Sequence, residues 1–312
     1  MRILVVGAGA TGGYFGGRLA QAGRDVAFLV RPARAEKLRA AGLQIVSPLG
    51  NVTLAPRLVT TGTLDGPYDA VLLTVKAYSL EAAVTDIAPA IGPGTMILPV
   101  LNGMRHVDVI RARFGDKALA GCVCLIGATI DDQDRIVQLT PMHNLIYGEM
   151  NGERSERITA LDAVMQGAGF NARLSDDIER EMWGKWITLA SLGGICCLLR
   201  GSVGEIEAAP GGPVFVQRFF DEVVSVVKAV GKLPGEPILK MALAMLTERG
   251  SAMASSMYRD LQKGAPIEAD QIIGDLLARG QKAGVETPFL AAAYANLTIY
   301  QATLERGHPV RS

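Results

Sequence analysis

The chain has 312 residues, enough for two domains that each bury a substantial core. Its 31 basic and 31 acidic side chains cancel, so no general attraction to nucleic acid or to an anionic membrane surface is expected. Hydrophobic residues at 49% and charged residues at 20% describe a globular chain and exclude a disordered one.

The first stretch, MRILVVGAGATGGYFGGRLAQAG, sets the organisation. Residues 3–6 form an apolar run of strand length, and residues 14–20 read as helix. Between them Gly7, Gly9 and Gly12 stand in G-x-G-x-x-G spacing. In a dinucleotide-binding turn the first glycine permits the tight bend, the second lets a pyrophosphate approach the backbone, and the third lets helix and strand pack closely. The N–H groups of the helix's first turn then face the phosphates. The apolar run is too short for a signal peptide, and glycines occupy the place of a cleavage region.

Residues 25–30 read as the second strand, whose C-terminal end is where such a fold inspects the adenosine ribose. Arg31 stands there, with Arg34 close behind and no acid before Glu36. A guanidinium suits a 2′-phosphate and so NADP rather than NAD. The alternative is two solvated arginines opening the helix at 34–41. Residues 43–58 resemble a pair of short strands around a turn at 48–51. Residues 69–75 (DAVLLTV) form the near-continuous apolar run of a strand buried on both faces of a parallel sheet. Lys76 ends it, a helix is expected at 79–90, and residues 96–101 form the next buried strand, ending in Asn102-Gly103. Alone, Lys76 reads as a solvated lysine and Asn102-Gly103 as a turn. Gly9, Arg31, Lys76 and Asn102 nevertheless all map to the carboxyl edge of one parallel sheet, where open α/β sheets bind ligands. Further strands are expected at 118–130, 135–140, 144–147 and 170–174, a loop at 151–157 and a helix at 158–167. His143 reads as a structural or surface residue.

From residue 176 the period becomes helical. Ser175, Asp176 and Asp177 supply a start for IEREMWGKWITLASL, which is apolar on most faces and therefore buried. The longest apolar stretch, residues 186–199, falls short of the ~20 residues needed to span a bilayer and contains Gly193 and Gly194. Lys185 lies in the middle of this helix. A lysine there is costly unless it is paired or lines a wet cleft, which makes it a functional candidate beside the plainer reading of a lysine snorkelling to the surface. Helices are expected at 214–230, 237–248, 268–283 and 288–304, with a polar loop at 255–267. Cys122, Cys124, Cys196 and Cys197 have no His or Cys partners at metal-ligand spacing; buried free thiols of a cytoplasmic protein are expected, and no metal. The fold class is thus an α/β Rossmann-type N-terminal domain over residues 1–175 and an all-α C-terminal domain over 176–312.

Together GAGATGG, VKA around Lys76, LNGM around Asn102, MWGKW around Lys185 and SSMYRDLQKGAPIEAD through Glu268 resemble the ketopantoate reductase (2-dehydropantoate 2-reductase) family along essentially the whole chain. The resemblance implies NADPH as hydride donor and a small 2-oxo acid as substrate. It implies that Lys76 and Asn102 contact the nicotinamide end and shape the substrate site. Lys185 would be the catalytic ammonium, Ser256 would hold the substrate carboxylate, and Glu268 would bond the substrate and orient the lysine. The family's pocket asparagines fall here at Leu189, Gly193, Val203 and Met253, which leaves a more apolar pocket. The alternatives are a reductase of another 2-oxo acid or bulkier ketone, an opine-type dehydrogenase for which no amine site is found, and a non-catalytic NADP sensor. No nucleic-acid or membrane partner is expected, and the apolar helices leave a homodimer interface open beside plain core packing.

Overall fold

The computed structural model describes residues 1–306. They divide into two compact units, one of residues 1–101 with 106–179, the other of residues 102–105 with 180 onward.

The first unit holds ten strands: β1 (Arg2–Val6), β2 (Asp25–Leu29), β3 (Leu43–Val46), β4 (Val52–Leu54), β5 (Arg57–Val59), β6 (Ala70–Leu73), β7 (Met96–Pro99), β8 (Ala120–Ile130), β9 (Ile136–Glu149) and β10 (Asn171–Leu174). Strands β5-β2-β1-β6-β7 form an all-parallel sheet, with Ile3 to Val6 in register with Ala70 to Leu73. Apart from Arg2 at the start of β1, its central strands β1 and β6 are apolar and buried at every position, without the alternation of a half-exposed strand. The second sheet, β10-β9-β3-β4 with β8 on β9, is mixed. Helix α1 (Ala10–Gln21) joins the two sheets. A Cβ on Gly16 would stand 2.6 Å from the Phe28 ring of β2, and one on Gly17 would stand 2.8 Å from Ile45 Cδ1 of β3. Bare backbone on this helix therefore lets two layers close on one core. Helices α2 (Pro32–Ala41), α3 (Leu80–Asp86), α4 (Arg105–Phe114) and α5 (Glu156–Met165) follow. His143 is buried in this unit, where its Nδ1 meets the Tyr14 hydroxyl at 2.8 Å, a structural role.

The second unit is helical: α6 (Ile178–Leu199), α7 (Val203–Ala208), α8 (Gly212–Val230), α9 (Glu236–Leu246), α10 (Ser256–Gln262), a π-helical turn (Asp270–Gly274), α11 (Asp275–Lys282) and α12 (Pro288–Glu305). By length and composition α6 could cross a membrane, but two-thirds of its most apolar window (67%) is packed inside the protein. Its core includes Trp186, Phe219, Val223, Leu276 and Leu297. The buried Glu222 carboxylate accepts from the Phe289 and Leu290 amides at 3.1 and 2.7 Å, capping α12; burial pushes that carboxyl up in pKa against those two bonds.

Several expectations are corrected. The 43–58 segment yields three strands, and β5 leaves its hairpin neighbours to extend the parallel sheet beside β2. The strands expected at 135–140 and 144–147 are one, β9, pairing with β8 across a register shift at Ile126 to Ala128. The helix expected at 79–90 shrinks to α3 between 3-10 turns, the second carrying Pro89, which has no amide to donate. The supposed loop at 255–267 contains α10, whose start is fixed by Ser255 Oγ accepting from the Tyr258 amide at 2.9 Å. Helices α4 and α7 were not anticipated. All four cysteines are buried and outside any disulfide; desolvation pushes Cys196 up to about 11 and Cys197 up to about 12.

Candidate active site

The carboxyl edge of the parallel sheet opens into a groove of about 610 Å³, lined among others by Gly7, Gly9, Arg31, Arg34, Lys76 and Tyr78. Its floor is made by three distinct uses of glycine. Gly7 has φ +95°, a left-handed conformation costly for any residue with a Cβ, and its amide donates to Leu29 O at 3.0 Å. Gly12 lies beneath the loop, where a Cβ would overlap the Gly7 carbonyl oxygen and the Thr74 hydroxyl. A Cβ on Gly9 would meet nothing within 4 Å beyond its own chain neighbours, so the backbone is bare toward the groove. Helix α1 starts there with Gly9 as N-cap and no side chain bonded to its first amides. These donors and the positive end of the helix dipole suit a pyrophosphate.

Thr74 is a contributor that sequence reasoning did not single out. Its hydroxyl donates to Val6 O at 2.7 Å and lies 3.1 Å from Gly7 O, tying the end of β6 to the glycine turn. A hydroxyl at the mouth of an otherwise apolar strand was the available signal.

At the far end of the groove, the exposed Arg31 precedes α2 as its N-cap. Arg34 is half-buried and differently employed. Its guanidinium donates to Ala8 O at 3.2 Å and to Asp134 Oδ1 at 3.1 Å, while Lys37 reaches the other Asp134 oxygen at 2.7 Å. The Lys37 hydrogen bond, with the two positive charges, holds the Asp134 carboxyl below its ordinary pKa. Asp134, at φ +61° in the turn between β8 and β9, thus braces the arginine over the glycine loop. No sequence spacing announces this brace, since the partners lie 100 residues apart.

Gly7, Gly9, Arg31 and Lys76 thus share one groove, with Gly12 supporting it. Asn102 is not among the groove-lining residues; with Gly103 it belongs to the second unit.

In the second unit Lys185 is half-buried on α6. Leu189 and Gly193 follow at four-residue intervals on the same face. A Cβ on Gly193 would stand 2.8 Å from Met257 Cε, so this face meets the start of α10. Ser256 is exposed as the first residue of that helix. Val203, fully buried, donates its amide to Met253 O at 2.9 Å, making two of the positions where the family carries asparagine direct neighbours. Next to Lys185, Trp186 Nε1 donates to Ile272 O at 2.9 Å. Glu268 is half-buried just before the π turn, and its carbonyl accepts from the Ile272 amide at 3.0 Å.

A glycine loop feeding a helix at a parallel sheet edge, joined to an all-helical unit, defines an oxidoreductase that uses a nicotinamide cofactor. The chain belongs to the ketopantoate reductase PanE/ApbA family, which matches residues 3–152, with its C-terminal domain at residues 177–301. It is 37% identical over 303 residues to an uncharacterized oxidoreductase, YkpB, of Bacillus subtilis, covering 97% of this chain and 99% of that protein. It is 29% identical over 332 residues to a 2-dehydropantoate 2-reductase of Mesorhizobium japonicum, covering 98% and 99% respectively. The crystal structure of 2-dehydropantoate 2-reductase from Geobacter metallireducens superposes with a TM-score of 0.85 at 28% identity, covering 97% of this chain and all of that one.

Proposed function

We propose that this protein reduces a 2-oxo acid to the 2-hydroxy acid with NADPH, and that the acid is 2-dehydropantoate, reduced to pantoate in the cytoplasmic pantothenate pathway. The observation that carries the reading is the groove itself. Gly9 offers bare backbone where a pyrophosphate must approach, and Arg31 stands exposed where a 2′-phosphate would lie. These residues fit NADPH. When bound, the cofactor supplies the hydride for the ketone carbon.

The chain's own residues supply the rest. Lys185 donates a proton to the carbonyl oxygen and stabilises the negative charge that grows there. Glu268 aims that ammonium and bonds the substrate. Ser256 holds the substrate carboxylate from the exposed start of α10. Lys76 and Asn102 hold the nicotinamide end and shape the substrate site. One hydride and one proton are consumed, so the C=O bond becomes CH–OH without a metal.

A second reading has a specific observation behind it. Leu189, Gly193, Val203 and Met253 offer no side-chain hydrogen bond, and Val203 and Met253 are paired through their backbone. A substrate hydroxyl buried there without a partner costs about 1–3 kcal/mol, which favours a 2-oxo acid with an apolar side chain. NADPH oxidation followed with 2-dehydropantoate beside a panel of branched and aromatic 2-oxo acids decides between them. Turnover of 2-dehydropantoate above the panel supports the first reading, and a better apolar acid supports the second. Tight NADPH binding without turnover of any acid overturns both.

A further inference from the structure

The π-helical turn Asp270–Gly274 gathers bonds from three parts of the second unit that carry proposed site residues: the Asn102-Gly103 turn, α6 and the segment at Glu268. Gln271 is 3% exposed, and its Nε2 donates to the Asn102 carbonyl at 2.9 Å. Gly103 rests directly on the same turn. Its φ of +78° and a Cβ position 2.6 Å from Gln271 O leave no room for a side chain. One residue on, the Ile272 carbonyl accepts from Trp186, the neighbour of Lys185, while the Ile272 amide is bonded to Glu268 O. Asn102, Lys185 and Glu268 are therefore each bonded to, or one residue removed from a bond to, the Gln271–Ile272 pair. A regular α-helix directs its carbonyls to amides four residues on; a π turn re-aims them, which is why such turns recur at functional sites.

We propose that Gln271 is a positioning residue for the reduction: through the Asn102 carbonyl it fixes the Asn102-Gly103 turn against the element that also seats Lys185 and Glu268. This rests on the roles proposed above for Asn102 and Lys185. Gln271 does not itself meet substrate. A side chain of the same length without the donor keeps the packing but lets the turn drift, and drift of about 1 Å at a reacting group costs up to ~100-fold in rate.

The test is a double-mutant cycle of Gln271→Met and Asn102→Ala in the full chain, with NADPH and the best 2-oxo acid of the panel. Gln271→Met is expected to lower kcat about tenfold or more while KM for NADPH stays within about twofold. Because Gln271 acts through Asn102, the double variant should be no slower than Asn102→Ala alone. Losses that multiply, or a fully active Gln271→Met beside an impaired Asn102→Ala, overturn the positioning role and leave the proposed function standing. A fully active Asn102→Ala overturns the role given to Asn102 and this inference with it. If Gln271→Met does not fold, the same cycle with Gln271→Leu, which likewise lacks the donor, carries the test with the same expected and overturning results.

Discussion

In the first unit the candidate ligand contacts are largely backbone: a left-handed Gly7, a bare Gly9 and the start of α1, whose first amides no side chain caps. In the second unit the candidate groups are side chains, Lys185, Ser256 and Glu268, on segments brought together by bonds such as those from Trp186 and Gln271. A backbone site is damaged by adding atoms; a side-chain site is damaged by removing them. The two regions should therefore fail in opposite ways when mutated.

The largest effect belongs to the second unit. Lys185→Ala should lower kcat by about 10²–10⁴-fold, the range for losing a general acid, while NADPH still binds with unchanged affinity by fluorescence titration. Unimpaired turnover would remove the catalytic assignment. Next comes a contrast within the glycine loop. Gly12→Ala inserts a methyl against Gly7 O and Thr74, and should cost about 1–3 kcal/mol of stability in thermal unfolding. Gly9→Ala meets open space and should leave stability intact while weakening NADPH binding. If both variants lose stability equally, Gly9 is a structural glycine and the division of labour fails. Smaller again is Arg31→Ala, expected to reduce the preference for NADPH over NADH by about 1.5–3 kcal/mol, or roughly tenfold to a hundredfold, in the ratio of dissociation constants. Unchanged preference would transfer the 2′-phosphate to Arg34, already held by Asp134.

The smallest effect is on the acid limb of stability. Burial alone would raise the Glu149 carboxyl, but hydrogen bonds from Arg157 and Ser155 outweigh it and hold its pKa below the ordinary value of 4.5. A depressed carboxyl contributes stability that is present above its unfolded pKa and lost as pH falls through its folded one. Glu149→Gln should therefore lower the melting temperature at neutral pH and flatten its decline below pH 4.5. A parallel decline in both proteins would show that Glu149 does not set the acid limb. Glu222, shifted upward by burial, has the opposite sign: its contribution fades as pH rises.

What was legible follows the same division. Glycine spacing, apolar run length and strand ends report local backbone, so the parallel sheet and the shared edge of Gly9, Arg31 and Lys76 are legible in the sequence, whereas Asn102, expected on the same edge, does not line its groove. The switch to helical period at residue 176 was legible for the same reason. The departure of β5 into the other sheet was not, because Arg57–Val59 is short and its partner lies 30 residues back. Helix α10 hid behind Gly264 and Pro266, which end it rather than prevent it. The Arg34–Asp134 brace and the Gln271 bond are pairings over 100 and 169 residues, and no local pattern encodes them. Lys185 stands out as a charge in the middle of an apolar helix, but its role and that of Glu268 come from the family resemblance, since Glu268 taken alone is an ordinary charged residue at a helix start.

The length of the Gln271–Asn102 pairing also bears on how the chain is made. Asn102-Gly103 leaves the ribosome early, and the last strand of the first unit, β10, ends at Leu174. The amide that anchors the turn comes about a hundred residues after the end of that strand, roughly five to twenty seconds of synthesis. Throughout that interval the nascent chain carries a four-residue piece of its second unit, Asn102–Arg105, inside the sequence of its first, waiting for a partner not yet translated. Cutting the gene at the apparent boundary near residue 176 would leave that piece waiting indefinitely.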